Sequence, residues 1–154
     1  FDQASIDLET SQHGTMQFIK EYQLLQRREN IGQNYRSLEK AAFLSRLLVS
    51  NAGHMPESEV LFELTRRALD AFAAGKAPEV VLFKSLYILL KDEGYPVRES
   101  WWPTLATDLR NFAKATLKAP SPTQLDAEAK GQCKLLEDHL IRWIRHHTDL
   151  IVPD

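Results

Sequence analysis

The sequence predicts a mainly α fold, a multi-helix bundle preceded by a short antiparallel β-hairpin. From Asn34 onward apolar residues recur with helical spacing, whereas the first 26 residues alternate apolar and polar side chains in two runs. A chain of 154 residues with 44% apolar and 26% charged residues is long enough for one domain with a real core. We therefore divide the chain into a hairpin at residues 1–26 and a helical domain at residues 34–154.

The hairpin is predicted from two alternating runs that flank a polar stretch containing Gly14. Ile6 and Leu8 lie between polar residues in the first run, and the second run resumes at Met16. An isolated two-stranded hairpin is marginally stable in water. We therefore expect it to lean on the rest of the chain or to belong to a larger sheet. Because the chain begins with Phe1 rather than Met, we interpret it as a processed or truncated sequence.

Two helices follow. The first begins near Asn34, and its apolar stripe ends at residues 51–53, which contain a helix-stop glycine. The second opens at Pro56, with Glu57 in its first turn, and ends before Gly75. Both are predicted to bury one apolar face.

The third helix is predicted to be the core of the bundle. It begins at Pro78, stops at Gly94 and is apolar almost all round, which is typical of a central helix. A connection at residues 95–103 leads to a fourth helix that runs roughly from Thr104 to Lys118.

The last helix follows a break at residues 119–122, which contain two prolines. Thr123 and Asp126 resemble a capping box at its start. Its apolar stripe includes Leu136 and Trp143, and we expect an interruption at Gly131.

Composition excludes several classes of protein. Nineteen Lys and Arg against 21 Asp and Glu give a net charge of −2, so nucleic-acid contact would have to come from a local patch. The single cysteine, Cys133, rules out a disulfide framework and a cysteine-rich zinc module. No apolar run reaches the ~18 residues of a membrane span, and residues 1–3 carry no basic signal region.

The sequence also lacks the usual motifs for catalysis and metal binding. It contains no GxSxG, no Gly-rich phosphate loop and no HExxH. His139 and His146 would lie ~10 Å apart along one helix, too far to share an ion. We therefore expect no enzyme activity, no cofactor and no metal site.

Basic residues gather around the end of the hairpin and the first helix. Phe18 and Tyr22 lie among them, and cations interleaved with aromatic rings suit phosphate contacts and base stacking. Glu21, Glu29 and Glu39 lie there too, so the alternative is a mixed, salt-bridged surface. The candidate DNA-binding residues are Lys20, Arg27, Arg28, Arg36 and Lys40.

Lys84 lies on the predicted central helix. It is either at the exposed edge of that helix, the commoner arrangement, or beside a groove where it can bind an acidic ligand. Arg66 and Arg67 are further basic candidates. Trp101 and Trp102 are either an exposed aromatic anchor for a partner or, as we favour, two indoles that close one end of the bundle.

Several stretches, taken in order, form a recognisable set. The most specific is FKSLYILL at residues 83–90, a helix that ends in Gly94 and Tyr95. The others are FDQASIDLE (1–9), GTMQFIKEY (14–22), AAFLSRLL (41–48), LFEL (61–64), AFAAG (71–75) and LIRWIRHH (140–147). This set resembles the RecO family of bacterial recombination-repair mediators. The first two stretches are similar to the closing strands of the family's N-terminal OB-fold, and the others to helices of its helical domain.

The resemblance implies a role in DNA repair and recombination without enzyme activity. Members bind and anneal single-stranded DNA and help to load the recombinase together with RecR and the single-stranded DNA-binding protein, in the bacterial cytoplasm at the nucleoid. It also implies that the helical domain receives the acidic, aromatic-ended tail of the single-stranded DNA-binding protein. Such a tail needs an apolar slot and a cation. Lys84 is our best candidate for that cation, with Arg36 and Arg46 behind it.

Two departures from the family pattern matter. Only the last strands of the OB-fold are represented, and residues 97–103 hold no cysteine where many members carry a four-cysteine zinc module. Zinc is therefore not expected. The alternative function is a helical protein-interaction or regulatory domain without DNA contact, which would lack the steep salt dependence of phosphate binding.

Overall fold

The computed structural model describes residues 1–11, 14, 16–55 and 58–153. It is mainly α with a two-stranded antiparallel sheet at the N-terminus, so the predicted fold class is confirmed. The elements are β1 (Gln3–Thr10), β2 (Gln17–Gln26), α1 (Asn30–Gln33), α2 (Tyr35–Asn51), α3 (Ser58–Ala73), α4 (Pro78–Asp92), α5 (Thr107–Lys118) and α6 (Ala127–His147). No helix in these described ranges is both long enough and apolar enough to cross a membrane.

The hairpin has one apolar face. Directly opposed residues of an antiparallel pair share a face, and the apolar pairs are Ala4 with Leu24, Ile6 with Tyr22 and Leu8 with Ile19. Lys20 has no partner on β1, because the register shifts by one residue between Asp7 and Leu8. Much of this apolar face is exposed, with Ile19 at 64%.

Side-chain and backbone caps define the first long helices. Asn34 caps α2 by accepting a hydrogen bond from the backbone N–H of Ser37 at 3.1 Å. A short 3₁₀ turn follows α2 at Ala52–His54. Pro56 and Glu57, predicted to open the second helix, lie outside the described residues. The one-turn helix α1 was not predicted.

Two glycines end α3 and α4 in the same way. Gly75 and Gly94 have φ of +69° and +80°, left-handed values that cost glycine little. After α3, the Gly75 N–H donates to the Phe72 carbonyl, and the Lys76 N–H donates to the Ala71 carbonyl. The same pair of bonds recurs at Gly94 and the residue after it. Both ends are Schellman motifs, as expected for these predicted stop glycines.

Helix α4 is central, as predicted. Ten of its 15 residues are buried, and it packs against α2, α3 and α6. Trp101 is fully buried beside Phe83 and Tyr87, with ring centroids 6.2 and 6.4 Å away. The predicted core role of Trp101 is therefore confirmed, whereas Trp102 is half-buried.

The connection between α4 and α5 is more regular than predicted. It forms a π-helical turn at Val97–Trp101 and a 3₁₀ turn at Trp102–Thr104. The fourth predicted helix begins at Thr107 rather than Thr104, because the backbone of Ala106 is extended, with ψ of 150°. Burial of Trp101 and Leu105 holds these turns against the core.

Two expectations for the last helix are wrong. Its cap is Asp126, whose backbone is extended and whose carboxylate accepts the Ala129 N–H at 2.7 Å, so Thr123 and Asp126 do not form a capping box. The helix also continues through Gly131 without interruption. A glycine costs a helix only ~1 kcal/mol relative to alanine. The buried stripe that contains Leu136 and Leu140 outweighs that cost.

Candidate functional site

A groove lies between α3 and α4, and we call it the α3–α4 groove. It encloses about 460 Å³. Its apolar wall includes Val60, Leu64 and Ala68 from α3, and Val81 and Ile88 from α4. The groove lies where the apolar stripe of α3 packs against a central helix that is apolar almost all round.

Lys84 lines this groove, so the second of the two arrangements considered for it is the one observed. Its ammonium donates a hydrogen bond to the carbonyl oxygen of Ala119 and forms no ion pair with a described residue. Burial lowers the pKa of Lys84, since a partly desolvated ammonium is less stable. The groove therefore combines apolar wall with a cation whose charge has no carboxylate partner.

Three acidic residues in the described ranges line the groove, and one of them, Glu63, is paired with two arginines. Glu63 binds Arg66 at 2.8 Å and Arg67 at 2.6 Å. These two hydrogen-bonded guanidinium groups lower the pKa of Glu63 to about 2. Glu59 and Asp92 also line the groove. An anionic ligand is therefore favoured only if its carboxylate reaches Lys84.

The other two residues proposed to bind the acidic tail lie elsewhere. Arg36 lines separate cavities beside α4 and α6, and its guanidinium binds Glu79 at 2.7 Å. Arg46 is exposed on α2 and does not line the groove. The structure does not bring Arg36 or Arg46 to Lys84. Ser121, which the sequence did not single out, does line the groove.

Arg28, a candidate for DNA contact, is instead buried at the base of the hairpin. Its side chain is only 2% exposed and binds the Asp70 carboxylate of α3 through Nε at 2.8 Å and Nη2 at 2.7 Å. Nη1 donates to the carbonyl oxygen of Phe1 at 2.9 Å. Arg28 therefore joins the hairpin to α3, and its guanidinium does not face solvent.

The remaining members of the predicted patch are dispersed. Lys20 is exposed at the bulge of β2. Arg27 is exposed and pairs with Glu29 at 3.3 Å. Lys40 binds the buried Glu137 of α6 at 2.5 Å. Within the described ranges the predicted patch is largely salt-bridged, which is the alternative that the interleaved glutamates indicated.

Glu79 and Glu137 are buried carboxylates that pair with two basic residues of α2, Arg36 and Lys40. Burial raises the pKa of Glu137, whereas its bond to Lys40 opposes that rise. The sequence signal for such residues is a carboxylate on an otherwise apolar face of a helix. Neither Glu79 nor Glu137 was predicted from it. Such pairs fix how helices lie against each other, since a buried carboxylate without its partner is costly.

Cys133 and His147 are packed against neighbouring side chains. No group of three His, Cys, Asp or Glu is placed there to hold a metal ion. Cys133 is fully buried, and burial together with the charges of Glu79 and Glu137 raises its pKa to about 11. His147 stacks on Trp143 with ring centroids 5.3 Å apart.

Comparisons with protein-family models, with curated proteins and with solved structures find no match to this chain. Functional inference therefore rests on the α3–α4 groove, on the surface charges and on the sequence resemblance.

Proposed function

We propose that this chain is the helical portion of a RecO-like DNA repair and recombination mediator, with a non-enzymatic role. It binds single-stranded DNA, acts with RecR in loading the recombinase, and receives the C-terminal tail of the single-stranded DNA-binding protein. The observation that carries the proposal is the α3–α4 groove, in which Lys84 stands beside an apolar wall.

The chemistry of the groove suits an acidic peptide that ends in an aromatic residue. The apolar wall formed by Leu64 and Val81 can accept an aromatic ring, and the Lys84 ammonium can bind a carboxylate. The carbonyl of Ala119, its present partner, is neutral and on the surface, so a carboxylate can replace it.

The hairpin supports the same proposal. Its apolar face is largely exposed in the described chain, and a two-stranded sheet is marginal alone. An exposed apolar face suits strands that belong to a larger barrel, as the closing strands of an OB-fold do.

Peptide binding tests the groove directly. A fluorescein-labelled acidic peptide ending in phenylalanine is titrated with the protein, and anisotropy is followed. A charge-assisted hydrogen bond contributes about 1.5–3 kcal/mol, so Lys84→Gln is expected to weaken binding roughly 10- to 100-fold. The matched control Lys134→Gln removes an exposed lysine from α6 and should leave affinity unchanged.

Two results would contradict the groove assignment. One is a peptide affinity that Lys84→Gln leaves unchanged. The other is equal affinity for a peptide whose terminal phenylalanine is replaced by alanine, since the apolar wall would then have no role. If the wild-type protein binds neither this peptide nor single-stranded DNA at low salt, the proposed function is wrong.

The second candidate is a helical protein-interaction or regulatory domain without DNA contact. It is favoured by the ion pairs that occupy Arg28, Arg36 and Lys40, three of the predicted phosphate-binding cations. Titration of a fluorescent single-stranded oligonucleotide at two salt concentrations separates the two. Binding that weakens steeply with salt supports the mediator, and no binding at low salt supports the interaction domain.

A further inference from the structure

A cationic surface surrounds a second cavity, on the side of α5. The cavity encloses about 510 Å³ and contains no acidic residue in its lining. We call it the α5 cationic surface. It is formed by Arg98, Arg110, Lys114 and Lys118 together with Trp102, Tyr87 and Leu117.

The four cations of this surface are not neutralised by carboxylates. None of them forms an ion pair with a described residue. Several other basic residues, Arg36, Lys40 and Arg66 among them, instead bind a carboxylate. Like charges placed together repel, so a cluster with no counter-charge favours an anionic ligand.

Three of the cations form a straight row. Arg110, Lys114 and Lys118 are four residues apart on α5, which places them on one face at steps of ~6 Å along the helix. The Arg110 guanidinium is fixed by donating from Nη2 to the carbonyl oxygens of Leu105 at 2.8 Å and Pro103 at 3.2 Å. Lys114 and Lys118 are exposed. Such a row matches a ligand with regularly repeated negative charges.

An aromatic side chain lies beside the row and is held rigidly. The half-buried Trp102 donates a hydrogen bond from Nε1 to the hydroxyl of Tyr87 at 3.1 Å, and the two rings meet edge to face with centroids 5.9 Å apart. A partly exposed, fixed indole next to several cations is an arrangement that supports base stacking.

We propose that the α5 cationic surface binds single-stranded DNA, with successive phosphates along Arg110, Lys114 and Lys118 and a base stacked on Trp102. This inference rests on the proposed function and gives its DNA-binding activity a site distinct from the patch around the hairpin. A repeating polyanion with bases fits the row better than an acidic tail does, because a tail concentrates its aromatic group and carboxylate at one end.

The test compares two double variants with the same change in charge. Lys114→Gln/Lys118→Gln removes two phosphate contacts, and Lys130→Gln/Lys134→Gln removes two exposed lysines four residues apart on α6. A fluorescein-labelled oligothymidine is titrated between about 50 and 200 mM salt, and circular dichroism checks that each variant is folded. The acidic phenylalanine-ended peptide is titrated in parallel.

We expect the α5 variant to lose affinity for oligothymidine and the α6 variant to keep it. Each phosphate contact on a single strand contributes about 0.7 to the slope of log affinity against log salt concentration. One such contact therefore makes binding roughly fivefold tighter at 0.1 M than at 1 M salt. The α5 variant should therefore bind roughly 25-fold more weakly at 0.1 M, with a slope reduced by about 1.4. DNA should also quench the Trp102 fluorescence, a signal that Trp102→Leu removes.

The remaining outcomes overturn the inference in different ways. If the α5 variant binds DNA like the wild type, or if the α6 variant loses binding instead, the DNA site lies elsewhere and the proposed function stands. If the α5 variant loses the peptide and keeps DNA, the surface binds an acidic peptide. If the wild type does not bind oligothymidine even at low salt, the inference is wrong, and peptide binding at Lys84 then decides whether the tail-binding part of the proposed function survives.

Discussion

Replacing Arg28 with methionine is expected to loosen the hairpin from the helical body. Methionine keeps an unbranched apolar stem but is shorter than arginine and removes every side-chain donor. The bonds lost are the two to Asp70, at 2.8 and 2.7 Å, the one to the Phe1 carbonyl at 2.9 Å, and two longer bonds to the side-chain oxygens of Gln3 and Gln26, at 3.5 and 3.4 Å. The backbone N–H of Arg28, which donates to Asp2, is retained.

The size of the expected stability loss depends on the partners that Asp70 keeps after the substitution. Removing one partner of a fully buried ion pair costs about 3–5 kcal/mol. Asp70 is 31% exposed and keeps Arg66 at 3.0 Å, so its carboxylate is not left without a partner. We therefore expect a loss of about 2–3 kcal/mol in the free energy of unfolding. With a urea m-value of about 2 kcal/mol/M, the midpoint should fall by about 1–1.5 M.

Urea unfolding and amide hydrogen exchange measure this effect together. Exchange in β1 and β2 should accelerate most, whereas amides of α4 that exchange only through global unfolding should lose no more protection than the fall in the free energy of unfolding accounts for. The control is Arg27→Met, whose side chain is 65% exposed and pairs with exposed Glu29, so it should change stability by less than about 0.5 kcal/mol. An unchanged midpoint together with unchanged exchange in the hairpin of Arg28→Met would refute the proposed role of this arginine.

Three further predictions concern Trp101, Tyr95 and Cys133. Trp101→Ala should lower the free energy of unfolding by about 3–5 kcal/mol in urea titration, because the indole is fully buried; a loss below 1 kcal/mol would contradict its core role. Burial and a hydrogen bond to Asp149 raise the pKa of Tyr95 from 10.0 to about 12, so its contribution to stability is complete below pH 10 and is lost as the pH rises through 12. An absorbance titration should contain this late phenol, and Tyr95→Phe should remove it. Cys133, with its pKa raised to about 11, should resist iodoacetamide in the native protein at neutral pH and react after unfolding; rapid native alkylation would contradict its burial.

The helices could be predicted because their signals are local. Asn34 caps α2 through a residue three positions away, and Gly75 and Gly94 take left-handed conformations directly after their helices. Pro78 begins α4 at a position where its missing N–H costs nothing. Each signal acts within one turn, so no knowledge of tertiary structure is needed to recognise it.

Charge pairing could not be predicted in the same way. Arg28 and Asp70 are 42 residues apart, and Lys40 and Glu137 are 97 residues apart. The near-neutral composition is consistent with extensive pairing, but it does not identify the partners. The candidate DNA-binding residues were therefore chosen from a segment whose cations the fold neutralises.

The α5 cationic surface was missed for the opposite reason. The spacing of Arg110, Lys114 and Lys118 is visible in the sequence, but their lack of carboxylate partners depends on how α5 lies against the π-helical turn at Val97–Trp101. Prolines near that turn indicated an irregular connection. The turn is regular because Trp101 is buried in the core, a tertiary effect that propensity does not capture.

The bulge on β2 determines where the length of the hairpin can change. Ile19 and Tyr22 share a face although they are three positions apart, because Lys20 is an extra residue in the ladder. Deleting Lys20 would restore regular alternation and keep both side chains on that face. Deleting Gln23 would place Tyr22 and Leu24 on opposite faces and divide the apolar surface. Insertions and deletions among sequences that share this hairpin should therefore fall at Lys20 or at Leu25, where the register shifts again, whereas the length of the segment from residue 21 to residue 24 should be constant.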